Sequence, residues 1–201
     1  MSYSDFTLKK VKDKFQLRII ENEDLFSEIK SIEISEYLKE TLKYNVPLAT
    51  AVNTEKARSE LIIANVLLAL KKICQNQISF FSGINLEADR EKELSGFCDY
   101  IISQSPEQFF LDAPIIAVVE AKNENIIKGF GQCVAEMLGS KIFNEKEGNQ
   151  VVNVYGTVTT GSLWKFLKYE DEIVYIDLQE YHIKDVGKIM GILYSMVSEQ
   201  S

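Results

Sequence analysis

The stretch Ile115-Ile116-Ala117-Val118-Val119-Glu120-Ala121-Lys122 decides how this chain is read. A β-branched apolar run introduced by Pro114 is what a strand covered on both faces looks like. Side chains alternate along a strand, so Ile116, Val118, Glu120 and Lys122 are expected on one face and Ile115, Ala117, Val119 and Ala121 on the other. The run closes on two opposite charges that packing does not ask for. Buried, they must be paired with each other or with something else, because an unpaired charge in low dielectric carries a cost of several kcal/mol. A solvent-lapped strand end with a plain ion pair is the competing reading, so the weight falls on what accompanies the pair.

Two more acids stand where the local pattern expects apolar residues. In Leu94-Ser95-Gly96-Phe97-Cys98-Asp99-Tyr100-Ile101-Ile102, a second strand pattern, Phe97, Asp99 and Ile101 share a face that Asp99 interrupts. Thr54 to Lys72 reads as an amphipathic helix with Asn53 or Thr54 as N-cap and Glu55 in the first turn. Its inward stripe is expected at Ala57, Glu60, Leu61, Ala64 and Leu68, which turns Glu60 toward the core. Hard divalent cations take oxygen ligands, and Mg2+ uses one or two carboxylates while keeping several waters. Such an ion between Asp99 and Glu120 would polarise a phosphoryl oxygen and activate water, with Lys122 stabilising the charge that builds up in the transition state. That chemistry is phosphodiester hydrolysis.

The order Glu60 on a helix, Asp99 on a strand and Glu120-Ala121-Lys122 on the next strand resembles the PD-(D/E)XK, or restriction-endonuclease-like, nuclease superfamily. Asn125 to Met137 is similar to the glutamine-bearing helix that follows the E-x-K strand in many members, with Gln132 and Glu136 one turn apart on one face. On that helix Gly129, Ala135 and Gly139 are small enough to bring its backbone close to the sheet. The segments Asn53 to Glu60 and Thr159 to Leu167 are similar to a bacterial, cyanobacterial-type branch. One departure is that Cys98, not proline, precedes Asp99. The resemblance implies an α/β fold with a restriction-endonuclease-like core, a central mixed β-sheet flanked by helices. It further implies a Mg2+ or Mn2+ ion held by Asp99, Glu120 and the Ala121 backbone carbonyl, with Glu60 a ligand directly or through water. Lys122 would orient the attacking water and Gln132 would help position it. The implied partner is nucleic acid, DNA before RNA, and a homodimer is compatible with it. A catalytically silent module on the same scaffold, binding nucleic acid or a protein, is the alternative.

Composition bounds these readings. The chain has 201 residues, expected to form a single domain with an N-terminal strand and helix extension over 1–50, a nuclease-like core over 53–160 and a β-hairpin with closing helix over 161–201. A hydrophobic share of 46% excludes wholesale disorder. Cys74, Cys98 and Cys133 are widely spaced in apolar surroundings and read as reduced core thiols of a cytoplasmic protein. With one histidine, His182, neither a Cys/His zinc site nor a serine-hydrolase triad is supported. No window is apolar for the roughly 18 to 20 residues that a membrane span needs. A glycosidase would need an acid able to donate a proton, and Lys122 is expected to keep Glu120 ionised.

A formal net charge of −8 argues against non-specific coating of DNA, which rests on neutralising phosphates. One basic surface is readable. If Leu8 to Ile19 is a strand or hairpin, Val11, Phe15, Leu17 and Ile19 line one face, and Lys10, Lys12, Lys14 and Arg18 form a basic ridge on the other. That ridge either binds nucleic acid or guards an edge strand. Trp164 and Phe166 either stack on bases or pack a hairpin. Elsewhere the pattern predicts a helix from Asp24 to about Tyr44 that stops before Val46-Pro47, a strand at Gln77–Gly83 and another at Val151–Thr159. A hairpin across Glu170-Asp171 and a helix from Val186 to Val197 complete it.

Overall fold

The structure, a computed structural model, describes residues 2–198. Strands β1 (Arg18–Ile20), β2 (Ser79–Asp89), β3 (Leu94–Ser103), β4 (Ile115–Ala121), β5 (Val154–Thr159), β6 (Leu163–Glu170), β7 (Ile173–Ile176) and β8 (Tyr181–His182) form one sheet. Its order is β1-β7-β6-β5-β4-β3-β2, with β8 paired to β6. The β1–β7 and β4–β5 pairs are parallel and the rest antiparallel, so this is a mixed sheet in an α/β fold. Against one face lie helices α2 (Glu36–Val52), α4 (Ala64–Ile73) and α6 (Val186–Ser198), burying Leu42, Leu67, Val119, Phe166 and Leu193 among others. The other face is covered by α1 (Leu8–Phe15) and α5 (Phe130–Lys146), around Val11, Val118, Cys133, Met137 and Val158. Among the described residues, no helix is long and apolar enough to cross a membrane.

The β4 reading holds in its main part. All seven residues are buried, with Val118 packed toward α5 and Ala117, Val119 and Ala121 toward the opposite layer. Ile115 and Ile116 exchange the faces that strict alternation assigns them, where the register against β3 shifts between Ile102 and Ser103. The β6–β7 hairpin turns through Asp171 and Glu172, both at positive φ as a tight two-residue turn demands. Cys74, Cys98 and Cys133 are free and buried.

Two expectations fail for physical reasons, and one open alternative is decided. Lys10, Lys12 and Lys14 do not form a strand ridge with Arg18. Thr7 caps a helix by accepting the Lys10 N–H at 3.2 Å, and only Arg18 lies in a strand, at the exposed end of β1. Leu8, Val11 and Phe15 satisfy the helical period, which in so short a segment competes with the alternating one. Lys14 is moreover paired with Glu93. The helix expected from Asp24 starts instead at Ser35, whose hydroxyl accepts the Leu38 N–H, and it continues through Pro47 to Val52, ending at Asn53 with φ 53°. Of the two readings of Trp164 and Phe166, packing holds: Trp164 is fully buried and donates its indole N–H to the Gly161 carbonyl at 2.9 Å, so neither it nor buried Phe166 presents a face to a base.

Gly139 does not meet the sheet either, since a β-carbon there would strike the Tyr3 hydroxyl. The close approach to the sheet occurs at Gly129, as expected, where a β-carbon would stand 2.5 Å from Val158 Cγ1, and at Gly156 of β5, where one would stand 2.5 Å from the Met137 sulfur. At Gly131 it would strike backbone of Phe6 and Thr7, which cannot swing aside. Gly131→Ala is therefore expected to cost about 2–3 kcal/mol and to expose the N-terminal segment to protease. Gly148→Ala, at φ +77° with nothing within 4 Å, should cost only about 1 kcal/mol of backbone strain. Urea titration of both variants measures the difference, and equal losses would refute the packing argument.

Candidate active site

The β3–β4 ladder ends at the pair Tyr100 and Val119, while β3 stays paired to β2 and β4 stays paired to β5. Beyond that point the strands part. Asp99 holds the fork together from its side chain, Oδ2 accepting the Ala121 N–H at 2.8 Å. The Lys122 N–H meanwhile donates to the Thr159 carbonyl at 2.8 Å. At the same level the alternation of β3 slips: Leu94 and Cys98 pack toward α5 together with Ile101, a residue of opposite parity. Gly83, opposite Asp99 on β2, takes φ +64° and lets both strands bend. Phe97 consequently does not share an apolar face with Ile101; it is 71% exposed.

Glu120 lies behind the fork, 1% exposed. One of its oxygens pairs with the Lys122 ammonium and the other accepts from Gln132 Nε2 at 2.8 Å. Gln132 Nε2 also reaches Glu136 Oε1 at 3.0 Å, and Glu136 is fully buried with Oε2 unpartnered. Helix α5 sits close enough for this because Gly129 abuts the Lys122 stem and Val158. Burial, and next the Asp99 carboxylate, push the Glu120 carboxyl up to about 8 against the opposing pull of Lys122. Lys122 pulls Glu120 toward its ionised form, as expected, while desolvation works the other way and sets the direction of the shift. Glu120 still makes no glycosidase acid, since both oxygens are engaged out of reach of solvent. Glu136 rises well above the carboxylate range, through burial first and Glu120 second. At Lys122 burial works downward, but the Glu120 carboxylate overrides it and the ammonium holds its proton more tightly than usual.

The helical wall of the site is not built as the inward stripe predicts. Short helix α3 (Glu55–Arg58), capped by the Thr54 hydroxyl on the Ala57 N–H, passes through a π-helical turn at Ser59–Ile63 into α4. The buried pair Ala57 and Arg58 recurs five residues later as Ile62 and Ile63, and then four residues on as Val66 and Leu67. That five-residue step rotates Glu60 outward, to 64% side-chain exposure, where Lys56 stands 3.8 Å from it; Leu68 is likewise exposed. Asn45 and Asn65 both donate to the Leu61 carbonyl, at 2.8 and 3.0 Å, within the widened turn. Tyr100 anchors its start through Ser59, with hydroxyl to hydroxyl at 2.5 Å and hydroxyl to carbonyl at 3.1 Å.

Glu55, Lys56, Ser59, Glu60, Ser82, Asp99, Tyr100 and Ala121 together line a cleft of about 270 Å³. Two of its surroundings escaped the sequence reading. Glu55, noted only as a first-turn acid, is near enough to raise both Glu120 and Lys122, so it competes with Glu60 as the helix carboxylate of the site. Arg58 is buried and donates to Asn53 Oδ1 (3.1 Å), Asn123 Oδ1 (3.3 Å), Ser162 Oγ (3.3 Å) and the Thr160 carbonyl (3.1 Å). It bolts the start of α3 to the residue after Lys122 and to the β5–β6 turn. An arginine beside Ala57 on an inward face was the available signal.

No family model, curated protein or solved structure matches the chain.

Among the described residues no three His, Cys, Asp or Glu side chains converge closely enough to hold an ion by themselves. Magnesium asks for less, being content with one or two carboxylates, a carbonyl and water. Asp99 supplies one such carboxylate at the cleft, and Glu120 is a second whose oxygens Lys122 and Gln132 engage; repulsion from Asp99, after burial, adds to the upward push on Glu120, and a cation would relieve that part.

Without a cation the native state keeps a proton on Glu120 that the unfolded chain, titrating near 4.5, releases. Its contribution to stability is therefore complete below about pH 4.5 and is lost as pH rises toward about 8. Denaturant midpoints measured across that window in chelator should fall with pH, and Glu120→Gln should flatten the slope. An unchanged slope in the variant would disprove the assignment.

Proposed function

We propose that the protein is a divalent-cation-dependent nuclease built on a restriction-endonuclease-like core, hydrolysing phosphodiester bonds in nucleic acid, DNA foremost. The observation that carries this reading is the parted end of β3 and β4, where Asp99 is tied to the Ala121 amide beside the buried Glu120–Lys122 pair. Asp99, Glu120 and the Ala121 carbonyl would hold Mg2+ or Mn2+, with Glu55 and Glu60 at the helical side of the cleft. A hard cation supplies there the Lewis acidity that polarises a phosphoryl oxygen and activates water. Lys122 contributes a positive charge, set by Glu120, against the charge that accumulates on the phosphorane oxygens. Gln132 fixes one Glu120 oxygen and so the direction of the other.

Asp99→Ala and Lys122→Ala should each lower cation-dependent cleavage by at least about 100-fold while the far-ultraviolet circular dichroism stays that of the wild type. Glu55→Gln should weaken Mn2+ binding more than Glu60→Gln, measured by titration calorimetry. Equal, cation-independent degradation by wild type and variants across linear, branched and single-stranded substrates would end the proposal.

A catalytically silent module is the second reading, favoured by the engagement of both Glu120 oxygens. Failure to bind either Mg2+ or Mn2+ would favour it. A calorimetric titration that detects either ion, with affinity rising from pH 6 to pH 8 as protons are displaced, decides against it.

A further inference from the structure

The β2–β3 hairpin extends past the fork with one face buried and the other bare. Ile84, Leu86, Ala88, Leu94 and Cys98 pack toward α5. On the opposite face Asn85 pairs across the strands with Phe97, and both are exposed. A phenylalanine 71% open to water forfeits most of the roughly 1.5–3 kcal/mol its burial would yield. Its neighbourhood does nothing to cover it: Ser82, Gly83, Ser95 and Gly96 are small, and Glu87, the next acid along, is occupied by Arg90 at 2.6 Å. The face is continuous with the cleft. Ser82 and Tyr100, which line it, are cross-strand partners, and the Asn85–Phe97 pair stands three residues further out, about 10 Å along the strands.

We infer that Phe97 and Asn85 form a platform for one unpaired base of a nucleic-acid strand whose backbone enters the cleft at Asp99. The inference rests on reading that cleft as a phosphodiester site and narrows its substrate to single-stranded or locally unpaired nucleic acid. An aromatic face stacks on any base for about 1–3 kcal/mol, and an adjacent side-chain amide offers both a donor and an acceptor to the base edge. Bases inside an intact duplex have no free face to offer. A protein partner fits less well, since one ring set among serines, glycines and an amide lacks the apolar core of a protein interface.

The test separates binding from cleavage. Labelled single-stranded oligonucleotide and blunt duplex are titrated with wild type, Phe97→Ala and Phe97→Trp, with Ca2+ in place of Mg2+, and cleavage in Mg2+ is assayed separately. Phe97→Ala should weaken single-strand binding about 10-fold and leave duplex binding and thermal stability unchanged, while Phe97→Trp retains affinity. The natural tryptophan, Trp164, is buried, so new emission from Phe97→Trp reports on the exposed position, and the oligonucleotide should quench it. Single-strand affinity in Phe97→Ala within twofold of wild type, or unquenched emission at saturation, overturns the platform. Cleavage that needs Asp99 but ignores Phe97 leaves the nuclease standing without it. Binding that depends on Phe97 in a protein that never cleaves leaves the platform standing without the nuclease.

Discussion

A carboxylate accepting a backbone amide where two strands separate is the constraint on which the rest depends. The β3–β4 ladder would otherwise end in a frayed amide, and a buried N–H without a partner costs about as much as a lost hydrogen bond. Asp99 satisfies Ala121 from its side chain, which leaves its own backbone free to follow β2 away from β4. The cleft exists because of that divergence. Had the ladder run on, Asp99 and Glu120 would have been ordinary cross-strand neighbours, and the chain would have had no reason to keep two acids opposite one another.

The layer behind the fork is under electrostatic tension. Glu120 and Glu136 are buried on the same side of the sheet, linked by one Gln132 amide group, and only Lys122 among their direct partners carries positive charge. Such an arrangement lowers the stability of the native state as pH rises toward neutrality. The rest of the molecule supplies the compensation through two continuous apolar clusters, one on each sheet face.

The α/β class and most of the candidate site were legible because strands covered on both faces make polar intrusions conspicuous. Asp99, Glu120 and Lys122 stood out for that reason, and the burial of β4 follows from its composition alone. The lost details were those that tertiary context decides. Whether Leu8 to Phe15 coils or extends depended on a threonine cap and a docking surface on α5 that no short window contains. Pro47 looked like a terminator, yet α2 carries it. Trp164, for which base stacking and hairpin packing were both open, fills the core, and Phe97, assigned to an apolar stripe, faces water. A slip in alternation opposite a left-handed glycine explains the exposure of Phe97, and Gly83 and Gly96, both at positive φ within their strands, were its written traces.

The extra residue in the turn at Ser59–Ile63 divides one continuous rod into a head and an anchor. Glu55, Lys56 and Ser59 belong to the head, which faces the cleft; Ile62, Val66 and Leu70 belong to the anchor, which must cover the sheet. Because the two are out of phase, each presents its own face. The head can therefore turn polar side chains toward the cleft while the anchor keeps its apolar stripe on the sheet, an orientation that a regular helix of the same length would not give both.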